Sequence, residues 1–137
     1  MNNVSVCGGK KSERVIVEKA VAWCIQHMMP RMRTLDIEVR LAKIDAYGYC
    51  MEEDNNRTFS LEIKKGLGLY DLISTVCHEM VHVKQYARKE MRFDHRKCTM
   101  MWKKCRVAEN TTYDNLPWEK EAFRIERELA LMCFQEI

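Results

Sequence analysis

The residues with the clearest chemical meaning in this sequence are two histidines four positions apart, with a glutamate directly after the first. They form the pentapeptide His78-Glu79-Met80-Val81-His82. On a helix, residues i and i+4 lie on one face with Cβ atoms about 5–6 Å apart, so both imidazoles can bind one metal ion. Glu79 is rotated by about 100° from His78 and reaches a metal-bound water instead of the metal. The pattern predicts a metal site, with zinc favoured by the ligand types and Glu79 as the catalytic residue.

The sequence around this motif is amphipathic. A helical pattern runs from about 69 to 90, and His78 and His82 lie on the side opposite its apolar stripe. The stripe consists of Leu69, Leu72, Val76, Met80, Val83 and Ala87. Such a helix is anchored by its apolar face and presents both imidazoles to a cleft or to solvent.

A catalytic zinc site has three protein ligands and keeps one position for water, so a third ligand is required. Glu119 and Glu121, near the start of a C-terminal helix, are two candidates, and His95 is another. The two glutamates are about 200° apart on a helix, so they cannot both bind the same ion comfortably. The residue pattern by itself leaves the choice among these three open.

The rest of the chain predicts an α+β fold in which a small three-stranded antiparallel sheet packs against helices. Residues 12–29 form a first helix, with Ser12 as its cap and Pro30 after its end. The stretch 95–105 is a candidate short helix, and the last helix begins at Pro117. Apolar and polar residues alternate, as in half-buried strands joined by short turns, over 35–42, 47–51 and 59–63.

Composition favours one ordinary domain that covers residues 1–137. Apolar residues make up 47% of the sequence and charged residues 31%, which is typical of a globular protein. No apolar run approaches the ~20 residues that span a bilayer, and the first residues lack the apolar core of a signal peptide. We therefore expect a cytoplasmic protein with no membrane contact. The seven cysteines include no CxxC pair and are expected to be reduced thiols in the core.

The net charge of +3 is distributed unevenly along the chain. The segment 88–106 carries eight basic side chains against two acidic ones, whereas the stretch from 107 to the end carries seven acidic against three basic. A basic run of this kind is either a solvated face or a surface that contacts DNA.

Two segments together resemble a known family. Residues 75–86, which contain the HExxH motif, and residues 117–122 (PWEKEA) resemble small zinc metallopeptidases of the minimal gluzincin type. Similar proteins are common in tailed bacteriophages and are often described as SprT-like. The resemblance covers roughly residues 35–137 and implies a zincin-like fold with HExxH on an active-site helix.

The resemblance also implies a set of ligands. The first glutamate of a Glu-x-Glu-Ala pattern is usually the third ligand in such gluzincins, which maps to Glu119 beside His78 and His82. In SprT-like proteases the third ligand is a histidine about fifteen residues after the motif, which maps to His95. The glycine that normally follows this histidine is Arg96 here. An edge strand, at 58–64, is expected to line the cleft and to pair with an extended substrate.

The expected activity is zinc-dependent hydrolysis of peptide bonds in a peptide or protein substrate by a metal-activated water, in the host cytoplasm if the protein is viral. Tyr113 or Tyr86 is the candidate donor to the oxyanion. The alternative is a non-catalytic zinc-containing module that binds a host protein or, through segment 88–106, DNA. A further alternative combines hydrolysis with DNA binding: a SprT-like protease that acts on DNA-bound proteins.

Overall fold

The computed structural model describes all 137 residues and has an α+β architecture of three helices, a mixed sheet and a small antiparallel sheet. A single 3₁₀ turn, Tyr113–Asn115, precedes the last helix. No helix is both long enough and apolar enough to cross a membrane. In chain order, the elements are β1 (Asn3–Gly8), α1 (Lys11–Met28), β2 (Asp36–Ala42), β3 (Gly48–Glu52), β4 (Thr58–Lys64), α2 (Leu69–Ala87), β5 (Met91–Asp94), β6 (Thr99–Trp102), β7 (Cys105–Arg106) and α3 (Pro117–Glu136).

The main sheet has four strands in the order β1-β2-β4-β3. Strand β2 is parallel to both β1 and β4, and only the β3–β4 pair is antiparallel. The prediction of a three-stranded antiparallel sheet is therefore wrong. The strands were correctly placed along the chain, but β2 and β4 each bury three apolar residues and pair with one another in the middle of the sheet. Strand β1 was missed because only Val4 and Val6 carry its alternation.

The strand order also changes which strand borders the cleft. Strand β4 lies between β2 and β3, so the expectation that residues 58–64 form the edge strand is wrong. The edge strand next to α2 is β3, all five of whose residues are half-buried or exposed.

The first helix lies within one residue of its expected limits. Ser12 is not its cap, because the cap position is taken by Lys10. The carboxylate of Glu13 accepts a hydrogen bond of 2.8 Å from the Lys10 backbone N–H and satisfies the free donor there. Its other oxygen accepts a 2.8 Å bond from the Gly66 N–H and so ties this helix end to the turn before α2.

The second sheet occupies the region where a short helix over 95–105 was expected, and that prediction is wrong. Strands β5, β6 and β7 form an antiparallel sheet. The two turns of this sheet contain Cys98 at φ 49° and Lys103 at φ 57°. A left-handed backbone conformation at these two positions is incompatible with a continuous right-handed helix.

Helix α2 is held by the apolar core on several sides. It packs against α1, α3, β3 and β4, and Val76, Met80 and Val83 are fully buried. Burial of such side chains contributes about 1.5–3 kcal/mol each, which fixes the rotation of the helix about its axis. All seven cysteines are free, but only Cys24, Cys77 and Cys133 are buried, so the prediction of core thiols holds for three of them.

Candidate metal centre

The two motif histidines lie one turn apart on α2, with their ring centroids 5.0 Å apart. The apolar stripe of α2 faces the core from Leu72 to Ala87, whereas Leu69 at its start is 49% exposed. Both imidazoles point away from the stripe toward α3. Both are buried, with exposed fractions of 8% for His78 and 6% for His82. A buried imidazole requires a polar partner on each ring nitrogen, and the structure supplies one for each.

The carboxylate of Glu119, in the first turn of α3, meets both rings. Its Oε1 lies 3.1 Å from Nε2 of His78, and its Oε2 lies 3.2 Å from Nε2 of His82. These three residues are the group of His, Cys, Asp or Glu side chains whose ligand atoms all lie within 4.8 Å of one another. Two imidazole nitrogens and one carboxylate oxygen are the donor set of catalytic zinc sites with two histidines and a glutamate. The donor chemistry therefore fits a bound metal ion.

The other two candidates for the third ligand lie elsewhere. His95 is exposed in the turn between β5 and β6, where its ring contacts Phe93 at a centroid distance of 4.9 Å. Glu121 accepts hydrogen bonds of 3.2 Å from Lys84 and 3.1 Å from Gln85. The structure thus brings Glu119, and neither His95 nor Glu121, to the two histidines.

Two residues that the sequence did not single out as site residues hold the far side of each imidazole. Nδ1 of His78 lies 3.3 Å from Oε2 of Glu126, and Nδ1 of His82 lies 2.8 Å from Oε1 of Gln85. With Nδ1–H donating to these oxygens, each Nε2 keeps its lone pair for a metal. Glu126 follows Glu119 by seven residues, or about two helical turns, so both lie on one face of α3. This spacing could have indicated from the sequence that Glu126 lies near the histidines.

In the absence of a metal ion, these contacts shift the pKa values of His78 and Glu119. Burial lowers the pKa of His78, but its hydrogen bonds with Glu119 and Glu126 raise it more strongly, to about 10. Burial raises the pKa of Glu119, but hydrogen bonds from His78 and His82 bring it down to about 2. A metal ion that bound here would therefore displace a proton from His78.

Glu79 lies beside the histidines with an exposed fraction of 6%. Burial raises its pKa above the usual value, although His82 and His78 act in the opposite direction. A raised carboxyl pKa suits a general base that works near neutral pH. Gly48 of β3 passes so close that a Cβ there would lie 3.1 Å from Oε2 of Glu79. The missing side chain at this position leaves room for the carboxylate.

A cavity of about 330 Å³ opens directly onto these groups. Strand β3 forms one wall of it, and the tyrosines Tyr86 and Tyr113 lie on its lining. Partial burial and the nearby carboxylate of Glu119 raise the pKa of each tyrosine to about 12, so both hydroxyls keep their protons at neutral pH. The cavity is lined by Ala46, Gly48, Tyr49, Cys50, His78, Glu79, His82, Tyr86, Met91, Tyr113, Trp118 and Glu119.

Comparison of this chain with protein-family models, with curated proteins and with solved structures found no match.

Proposed function

We propose that this protein is a zinc-dependent peptidase with a zincin-like active site. The observation that carries the proposal is the convergence of His78, His82 and Glu119 in the lining of a cavity that Glu79 also lines. Two histidines and one glutamate as ligands, with the buried carboxylate of Glu79 beside them, form an arrangement suited to metal-assisted hydrolysis. We also propose that the protein is related to the minimal gluzincins and SprT-like proteins that it resembles, and that it is located in the cytoplasm.

The roles of the residues follow from their positions. When bound, a zinc ion supplies a Lewis acid that lowers the pKa of a coordinated water from about 15.7 to about 7. Glu79 takes the proton of the attacking water and returns it to the leaving amine. Tyr113 and Tyr86, both protonated, are the donors available to the developing oxyanion. Glu126 and Gln85 keep the two imidazoles in the tautomer that leaves Nε2 free.

The substrate is proposed to be an extended peptide or protein segment. Strand β3 pairs with β4 on one side only and borders the cavity through Gly48, Tyr49 and Cys50. An unpaired strand edge offers main-chain donors and acceptors to a peptide that adds as another strand. This geometry would place a scissile bond next to Glu79.

The test is hydrolysis of fluorescently labelled casein by the zinc-loaded protein. Removing the general base by Glu79→Gln is expected to lower the rate by about 10²–10⁴-fold, with zinc content unchanged. The matched control is Glu128→Gln, which makes the same change at an exposed position of α3. Equal activity of the Glu79→Gln and wild-type proteins at full zinc content contradicts the proposal.

A further inference from the structure

A second groove, of about 290 Å³, lies between the β6–β7 turn and the first turns of α3. Three of its lining side chains are cationic, one is acidic and one is an aromatic ring. The groove, here called the basic groove, is lined by Trp102, Lys103, Pro117, Lys120, Glu121 and Arg124. None of these side chains is a ligand in the candidate metal centre.

The positive charge of the basic groove is only partly neutralised within the protein. Lys103 and Lys120 are exposed, and neither has a carboxylate within ion-pair distance. Arg124 lies 3.9 Å from Glu121 with 71% of its side chain exposed. That carboxylate is already bonded to Lys84 and Gln85. The groove therefore presents an excess of cations to solvent.

The fold creates this charge cluster from two parts of the chain. Lys103 belongs to the basic segment 88–106, whereas Lys120 and Arg124 come from the acidic C-terminal stretch. The strand register places the side chains of Arg92 and Arg106 on the face of the small sheet opposite Trp102, outside the basic groove. In all, the small sheet and its turns carry five further exposed cations, of which only Arg92 has a carboxylate within ion-pair distance, that of Asp94 at 3.9 Å. These five are Arg92, Arg96, Lys97, Lys104 and Arg106.

The floor of the basic groove is apolar and aromatic. Trp102 is half-buried, and Nζ of Lys103 lies over its ring, 5.4 Å from the centroid. A base that stacks on this face of the ring must displace the Lys103 side chain, which is exposed and free to move to a phosphate. Pro117 is the other apolar residue of the lining. An aromatic face within a rim of cations is the arrangement by which proteins hold single strands of nucleic acid, since a base stacks on the ring while phosphates contact the cations.

We propose that the basic groove binds single-stranded nucleic acid, with a base on Trp102 and phosphates on Lys103, Lys120 and Arg124. A double helix keeps its bases stacked inside and offers none to Trp102, so the groove should favour the unpaired strand. This proposal does not depend on the peptidase proposal, because it uses different residues and a different measurement.

The test is the fluorescence anisotropy of labelled oligo-dT and oligo-rU, with a DNA duplex of equal length, over a salt series. Three phosphate contacts predict a log–log slope of affinity against salt of about −2, from about 0.7 per phosphate on a single strand. Lys120→Ala with Arg124→Ala is expected to weaken binding about twentyfold at about 0.1 M salt, the counterion-release value for two contacts. Trp102→Leu is expected to weaken it at least about fivefold through lost stacking.

The matched control is Lys11→Ala with Lys19→Ala, which removes the same charge from exposed positions of α1. It is expected to bind like the wild type. The proposal is overturned if the strands do not bind at low salt, or if the control weakens binding as much as the groove variant. Tighter binding of the duplex, unchanged by Trp102→Leu, also overturns it. Zinc content, measured on every variant, is expected to stay at the wild-type level.

Discussion

Glu126 Oε2 lies 3.3 Å from Nδ1 of His78, on the ring nitrogen opposite to the one that faces Glu119. The imidazole is thus held between two carboxylates from one helix. Contacts of this kind fix the orientation and tautomer of a metal-binding histidine and raise its basicity. The candidate metal centre therefore includes a residue outside the three candidate ligands.

Removing this contact should weaken metal binding without abolishing it. Glu126→Ala is expected to lower zinc affinity by about 10–100-fold, the usual cost of losing such a contact. Glu126→Gln should lie between this variant and the wild type, because an amide oxygen still accepts the hydrogen bond but carries no charge. Competition with a chromophoric chelator measures the Kd. Glu128→Ala, an exposed change on the same helix, is the control, and an unaltered Kd in Glu126→Ala would contradict the assignment.

Gly48 should matter for the rate and not for metal binding. An alanine Cβ at this position would lie 3.0 Å from Cγ2 of Thr75 and 3.1 Å from Oε2 of Glu79, so the carboxylate must move. A displacement of about 1 Å at the reacting centre can cost about 10²-fold, so we expect kcat to fall at least about tenfold with zinc affinity unchanged. Gly68→Ala is the control, since a Cβ there meets no atom within 4 Å. If the two alanine variants have the same kcat, this role of Gly48 is wrong.

Metal removal should lower thermal stability. A ligand that binds only the folded state at about 1,000 times its Kd adds about 4 kcal/mol to the free energy of unfolding. For a chain of this length the chelated protein should melt about 10 °C below the zinc-loaded one. Differential scanning calorimetry makes the comparison, and Glu119→Ala should show little response to the chelator. If the Tm of the wild type does not change with either zinc or chelator, the protein has no metal site of this kind.

Glu13 should make a pH-dependent contribution to stability. Hydrogen bonds from the backbone N–H groups of Lys10 and Gly66 lower its pKa below 4.5. A carboxyl whose pKa is lower in the folded state stabilises the fold above its unfolded pKa, and the contribution is lost as pH falls through the folded value. Glu13→Gln should therefore lower the urea midpoint at about pH 7 and have a smaller effect at about pH 3. Glu18→Gln, an exposed change on α1, controls for the charge, and an effect of equal size at both pH values would exclude this origin.

The parts of this fold that the sequence predicted are those encoded locally. The 3.6-residue repeat located α1 and α2, and the spacing of His78 and His82 indicated a shared helix face. Pro117 marked the start of α3 because it fits the first turn of a helix. Each of these signals lies within about twenty consecutive residues.

The incorrect parts depend on contacts between distant segments. Alternation identified β2, β3 and β4 as strands but carries no information on which of them are neighbours. The choice among Glu119, Glu121 and His95 required the packing of α3 against α2, because both glutamates flank the apolar stripe at similar angles. The β5–β7 sheet was missed because its strands have at most four residues each, too few for a clear period.

The most direct test of the metal-centre proposal is the zinc content of purified protein, measured by atomic emission after dialysis. We predict one zinc ion per chain in the wild type and in both His95→Ala and Glu121→Ala. Glu119→Ala should lose most of its zinc, because the carboxylate that meets both imidazoles is gone. Full zinc retention by Glu119→Ala, or loss of zinc in His95→Ala, would contradict the account.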